Sequence, residues 1–171
     1  TGVGNVGIGY VSLSGQNGAD YNTAVGWSSG ASLSTGASNS AFGGSALKVE
    51  TTGGSNTAIG FGTLFTQNGG SNNTAVGYLS GYGNITGTQN TYMGNTSGRF
   101  NEGSNNTVLG ANAGDGTLGN ADYDNSVLVG YSAGTSNDFT ADNSTFIGYQ
   151  AGAAVTSGAN NVLMGYNAGD N

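Results

Sequence analysis

The sequence predicts an all-β solenoid of about ten repeats of roughly 17 residues, on the strength of three observations. Asn5, Asn22, Asn39, Asn56, Asn73 and Asn90 recur every 17 residues without a slip. Each opens a phrase that closes on an apolar residue and glycine, as in Asn56-Thr57-Ala58-Ile59-Gly60. Between the phrases the chain is written in glycine, serine, threonine and asparagine, the residues of turns, and proline is absent. Self-similarity at a fixed period marks architectures in which each repeat stacks on the next.

Side chains on a strand point to opposite faces with a period of two, so Thr23 and Val25 share one face and Ala24 and Gly26 the other. The column of Val25, Phe42, Ile59 and Val76 is expected to be the buried one, with the threonines turned inward beside it. The small Ala/Gly face is then the one that permits close contact between chains. The ten phrase-ending glycines are 9, 26, 43, 60, 77, 94, 110, 130, 148 and 165, each preceded by an apolar residue. Glycine there allows a positive φ or a close backbone approach. A 17-residue unit has room for two short strands and two turns. Helices are poorly compatible with this density of glycine and β-branched residues. Ten rungs about 4.8 Å apart would make a rod roughly 48 Å long.

Two stretches differ in regularity. Residues 1–105 hold the strict repeats; residues 106–171 continue the solenoid with longer, acidic loops. In the second stretch the small column becomes Val108, Leu128, Phe146 and Leu163, which predicts strands buried on both sides. A lone rung buries only three or four apolar side chains, at about 1.5–3 kcal/mol each, against ordering 17 residues at about 1–2 kcal/mol each. Stacking, and association of several chains around an axis, would recover the deficit. The abrupt start at Thr1 reads as a segment of a longer chain.

The unit Asn56-Thr57-Ala58-Ile59-Gly60, and Asn73-Thr74-Ala75-Val76-Gly77-Tyr78 after it, resembles the Asn-Thr-Ala-Val-Gly-Tyr repeats of phage tail-fibre-like proteins. It is similar also to the head repeats of YadA-like trimeric autotransporter adhesins, whose Ala-Ile-Gly phrase occupies the same place. The resemblance covers essentially the whole chain. It implies a left-handed parallel β-roll, a homotrimer, intertwined or side by side, and display on a virion tail or a bacterial cell surface.

Composition narrows the chemistry. The chain has no histidine and no cysteine, which removes Ser-His-Asp and Cys-His catalysis and the zinc sites built on those ligands. Two basic residues against nine acidic ones cannot neutralise a nucleic-acid backbone. No apolar run approaches the roughly 20 residues that span a bilayer, so no membrane insertion is expected. Asp122 and Asp124 are the closest carboxylate pair and read as a solvated loop in preference to a glycosidase dyad. Asp115, Asp122 and Asp124 are the one grouping of oxygen ligands suited to calcium, a weak candidate, and no cofactor is expected.

Function on repeat scaffolds tends to sit in loop insertions, so Asp122, Tyr123, Asp124, Asp138 and Phe139 are the candidates for receptor contact. The receptor would be a cell-surface glycan or protein. An aromatic follows the phrase-ending glycine at Tyr10, Trp27, Phe61, Tyr78, Tyr131, Tyr149 and Tyr166, and reads as a packing ladder in preference to a sugar-stacking one. The expected function is a non-enzymatic, structural and receptor-binding segment of a trimeric extracellular fibre. The alternative is an ice-binding solenoid built on the column Thr23, Ser40, Thr57, Thr74, Thr91 and Thr107, against which stands its expected inward direction.

Overall fold

Each phrase becomes one short strand, because hydroxyl, small and branched residues suit a pleated surface and the closing glycine then turns the chain. The computed structural model describes residues 2–116, 121–136 and 139–170. Ten strands form one parallel sheet in chain order. They are β1 (Val6–Ile8), β2 (Thr23–Val25), β3 (Ser40–Phe42), β4 (Thr57–Ile59), β5 (Thr74–Val76), β6 (Thr91–Met93), β7 (Thr107–Leu109), β8 (Val127–Val129), β9 (Thr145–Ile147) and β10 (Val162–Met164). Every neighbouring pair keeps the register of Thr57 opposite Thr74, Ala58 opposite Ala75 and Ile59 opposite Val76. The steps from β6 to β9 depart from 17 residues, yet the register of β7, β8 and β9 is undisturbed and the sheet runs unbroken across residue 106.

The asparagines that open the phrases fasten rung to rung. Asn56 Oδ1 accepts from the backbone N–H of Asn73 at 2.9 Å, while Asn56 Nδ2 donates to the Gly70 carbonyl at 2.9 Å. The same pair of bonds recurs at Asn22, Asn39, Asn73 and Asn90, whose residues are buried. Asn106 extends the series to Ser126, and there the hydroxyls of Ser126 and Ser144 take over the accepting role. Buried polar groups are costly unless paired, and here each amide satisfies backbone groups that the turn leaves open.

The glycine ending each strand has no substitute. Gly77 lies at φ +134°, and a Cβ on it would sit 2.2 Å from the Gly94 carbonyl oxygen. Rungs can hydrogen-bond at this corner only because neither carries a side chain.

One strand forms per rung where the sequence suggests room for two. Beyond the glycine the chain turns through left-handed residues, Ser28 (54°) and Gly30 (56°) after β2, Ser45 (59°) and Leu47 (48°) after β3. Strand geometry cannot pass through such residues. Their amides nevertheless bond to adjoining rungs: Ser28 N–H donates to the Tyr10 carbonyl and Gly30 N–H to the Ala46 carbonyl, both at 2.9 Å.

The faces of the sheet are opposite to those expected. Ala24, Ala41, Ala58 and Ala75 are fully buried, whereas Phe42 and Ile59 are exposed. One sheet closed by tight turns leaves a bore too narrow for a branched side chain at every level, so the small column goes in and the large one out. Nor are the later strands buried on both sides. Their middle residues Val108, Leu128 and Phe146 fill the interior, but Leu109, Val129 and Ile147 are only half-buried.

Interior volume is shared between that middle residue and the residue four places after the glycine. Ala41 and Ala58 stand beside Leu47 and Leu64; Tyr92, Leu128 and Phe146 stand beside Gly98, Gly134 and Gly152. A Cβ on Gly98 would meet the Tyr92 ring at 2.3 Å, and one on Gly152 the Phe146 ring at 2.4 Å. Where both positions are small, at Ala75 and Gly81, Leu64 and Tyr92 reach in from the rungs on either side.

Tyr92→Ala should therefore cost about 3–5 kcal/mol of unfolding free energy, and Gly98→Leu a comparable amount by overpacking. The double variant Tyr92→Ala/Gly98→Leu recreates the Ala58/Leu64 pairing and should recover most of the loss. Additive losses in chemical denaturation would contradict a shared interior.

Candidate functional site

Burying the middle residue of each strand turns its neighbours out to water. The outward sheet face carries three columns: Thr23, Ser40, Thr57, Thr74 and their successors; Val25, Phe42, Ile59, Val76 and theirs; and the residue after each glycine. Phe42, Ile59 and Met93 are 41%, 42% and 44% exposed. No residue in these columns carries a charge. The aromatic column is also at the surface, and three neighbouring pairs of its rings stack along the rod. Tyr131 and Tyr149 are 5.4 Å apart at 14°, Tyr149 and Tyr166 5.2 Å apart at 9°, and Phe61 and Tyr78 6.0 Å apart at 15°. This is the packing ladder the sequence suggests, in an exposed position.

Both cations stand outside the three columns and rest on aromatic rings, Lys48 on Trp27 of the aromatic column itself. Lys48 Nζ sits 5.3 Å from the Trp27 ring centroid and 5.4 Å from that of Phe65, while the Arg99 guanidinium lies 4.6 Å from Phe100. Such contacts are favourable through the ring quadrupole. Arg99 Nε also donates to Asp115 Oδ1 at 2.9 Å, the one ion pair among the described residues.

The receptor candidates scatter. Tyr123 and Phe139 are interior residues, packed edge to face at 4.7 Å, with Phe139 5.7 Å from Phe146. They turn inward because Gly114 and Gly134 leave space beside them; the Tyr123 hydroxyl donates to the Gly114 carbonyl at 3.3 Å, and Phe139 lies beside Gly134. Burial first, then the Tyr92 phenol and the charge of Asp115, push the Tyr123 phenol well above its ordinary range. Asp138 lies outside the described residues. Asp122 remains exposed, and Asp124 is half-buried with Oδ1 accepting from Ser104 N–H at 2.5 Å. The calcium candidates are not brought together: Asp115 is committed to Arg99, and among the described residues no three such ligands lie within reach of one ion.

Glu50 escapes a reading of the sequence. It is fully buried, with Oε1 accepting from the amides of Thr52 (2.9 Å), Gly53 (2.6 Å) and Gly69 (2.9 Å), and Oε2 from Gln67 Nε2 (3.0 Å). A single carboxylate in a nearly uncharged repeat was the available signal. Its bonds are all to the protein itself and leave it a structural group.

No helix among the described residues is long and apolar enough to cross a membrane. Comparison with family models, with curated proteins and with solved structures found no match.

Replacing Asn56 by leucine should leave the Asn73 amide unpaired, at about 1–3 kcal/mol, while the Gly70 carbonyl keeps its second donor, Gln67 Nε2 at 2.7 Å. Thermal unfolding that matches the parent would show that the asparagine bonds are dispensable.

Desolvation first, then the charges of Asp124 and Asp142, raises the Asp122 carboxyl above its ordinary 3.8. The folded state thus binds its proton more tightly than the unfolded chain does. Its cost is absent below the ordinary carboxylate range, where both states are protonated, and sets in as pH rises through that range. Asp122→Asn should raise the melting temperature at pH 7 and flatten its fall with pH above about 4. A lower melting temperature at pH 7 would contradict this sign.

Proposed function

We propose that this chain is a structural and receptor-binding segment of a trimeric extracellular fibre, as in phage tail fibres or bacterial adhesins, mediating attachment to a host or surface. The observation that carries the reading is the rod itself. Ten rungs in one register, fastened through buried asparagines, hold a stiff body about 43 Å long (nine spacings of about 4.8 Å). Such a body spaces and presents, and its buried polar side chains are spent on its own backbone.

The left-handed winding and the threefold assembly belong to the same proposal. The threefold assembly is supported by the apolar side chains that a single copy leaves in water along its length, since lone soluble chains seldom expose long apolar surfaces. The partner is a cell-surface glycan or protein, met by the loops around Asp122 and Asp124. The rod acts without catalysis, on a virion tail or a bacterial surface.

Light scattering on the purified chain should give three times 16.7 kDa, and labelled protein should bind intact cells of its host. A monomer of 16.7 kDa that binds no cells would end this reading.

An ice-binding role is favoured by a separate observation. Thr57, Thr74, Thr91 and Thr107 point outward, on an uncharged sheet face, at one rung spacing. Their expected inward direction was the argument against that role. Thermal hysteresis from a monomeric preparation, lost on Thr74→Lys, would place this reading first; no hysteresis would remove it.

A further inference from the structure

We infer that the edge of the rod around Lys48 is a binding site for an acidic polysaccharide, one whose sugars each carry a single carboxylate or sulfate. The inference deepens the receptor-binding reading and rests on it, and the contact lies apart from the loops around Asp122 and Asp124. Three observations support it.

Charge is divided along the chain. Residues 21–101 hold both cations and one carboxylate, while the other eight carboxylates all lie outside that stretch. The one within it, Glu50, is buried and held by backbone amides and Gln67. Arg99 is taken up by Asp115, and Lys48 pairs with no carboxylate among the described residues. The levels of β2 to β5 thus present one uncompensated positive charge on a rod that is elsewhere neutral or negative. An anionic ligand is repelled by the later loops and drawn to this level.

That cation is set among rings. In the column that follows each strand's glycine, the level of β3 has Gly44 where Trp27 and Phe61 stand on either side. Lys48 reaches across at this level, with Nζ 5.3 Å from the Trp27 centroid and 5.4 Å from that of Phe65. Phe61 leans over the vacated position, since a Cβ on Gly44 would stand 3.2 Å from its ring. Trp27 and Phe61 are each 53% exposed. A pyranose has a face of C–H groups that packs on an aromatic ring, and an acid group at its rim that an ammonium receives. Here ring and ammonium are presented side by side.

The spacing agrees. Rungs recur about every 4.8 Å, close to the advance of one sugar in an extended polysaccharide. Successive sugars can therefore keep step with Trp27, Lys48 and Phe61, which belong to three consecutive levels. A protein partner has no such period along its surface. An unpaired ammonium is also costly to remove from water, which keeps this edge on the solvent side of a threefold assembly.

Trp27 is the only tryptophan and reports the site directly. Polygalacturonate or dextran sulfate added to the full chain should change its fluorescence, salt should weaken the response, and neutral dextran should give none. Lys48→Gln should weaken binding about fivefold, the upper range for an exposed ion pair, with strand content unchanged, and Lys48→Arg should bind like the parent. Arg99→Gln, which leaves Lys48 in place, should also bind like the parent. An equal response to neutral dextran, or no response to either polyanion, overturns the site. Host cells bound equally by the parent and by Lys48→Gln would overturn it too and leave the fibre reading standing. A parent chain that binds polygalacturonate through Lys48 but binds no cells would uphold the site and end that reading.

Discussion

The structure depends on a carboxamide that reaches from one rung to the next. Asparagine suits the task because its side chain offers an acceptor and donors at once. Oδ1 takes the amide of the asparagine above, and Nδ2 closes onto the carbonyl of the turn. Every rung therefore starts at a height set by the rung before it, and the strand that follows is placed in register with its neighbour. When serine replaces asparagine at 126 and 144, the hydroxyl still accepts from the amide of the next rung, and Ser126 Oγ also donates to the Ala141 carbonyl at 3.2 Å. Those are also the levels at which the steps between strands depart from 17 residues.

From that attachment the rest follows by exclusion of space. Rungs held this close bring glycine against glycine at the strand's end, where a Cβ on Gly43, Gly60 or Gly77 would lie within 2.3 Å of the next carbonyl oxygen. The same narrowness leaves an interior that alanine fills, or that one large ring fills if its partner position gives way to glycine. Each level has room for about one large side chain, such as Leu47, Leu64, Tyr92, Leu128 or Phe146, and the remaining large apolar residues form the outer face. The exposed aliphatic and aromatic columns are thus a consequence of how tightly the rungs stack, and the proposed assembly uses what that packing pushes outward.

The period, the strand positions and the glycine corners were legible because they repeat along the chain, and a stacked architecture converts repetition directly into columns. The direction of the faces was not. Thr57-Ala58-Ile59 alternates whichever side is buried, and hydrophobicity alone favours hiding isoleucine over alanine. What decides is the width of the bore, and that width depends on the left-handed turn residues Ser45, Leu47 and Leu64, which carry no distinctive sequence mark. Tyr123 and Phe139 looked like loop residues because they fall in lengthened segments. The clue to their burial was the glycine at 114 and 134, vacated as Gly98 is for Tyr92. Glu50, the one carboxylate between Asp20 and Glu102, was visible as an oddity, but its partners Gly53, Gln67 and Gly69 become apparent only when two rungs are laid together.

Amide hydrogen exchange resolved by residue tests the asparagine attachment most directly. The backbone N–H groups of Asn39, Asn56, Asn73 and Asn90, each received by the side chain one rung earlier, should be among the slowest to exchange, opening only with global unfolding. Exchange of these amides at the rate of the exposed loops, while the strands between them stay protected, would show that the rungs are held together by something else.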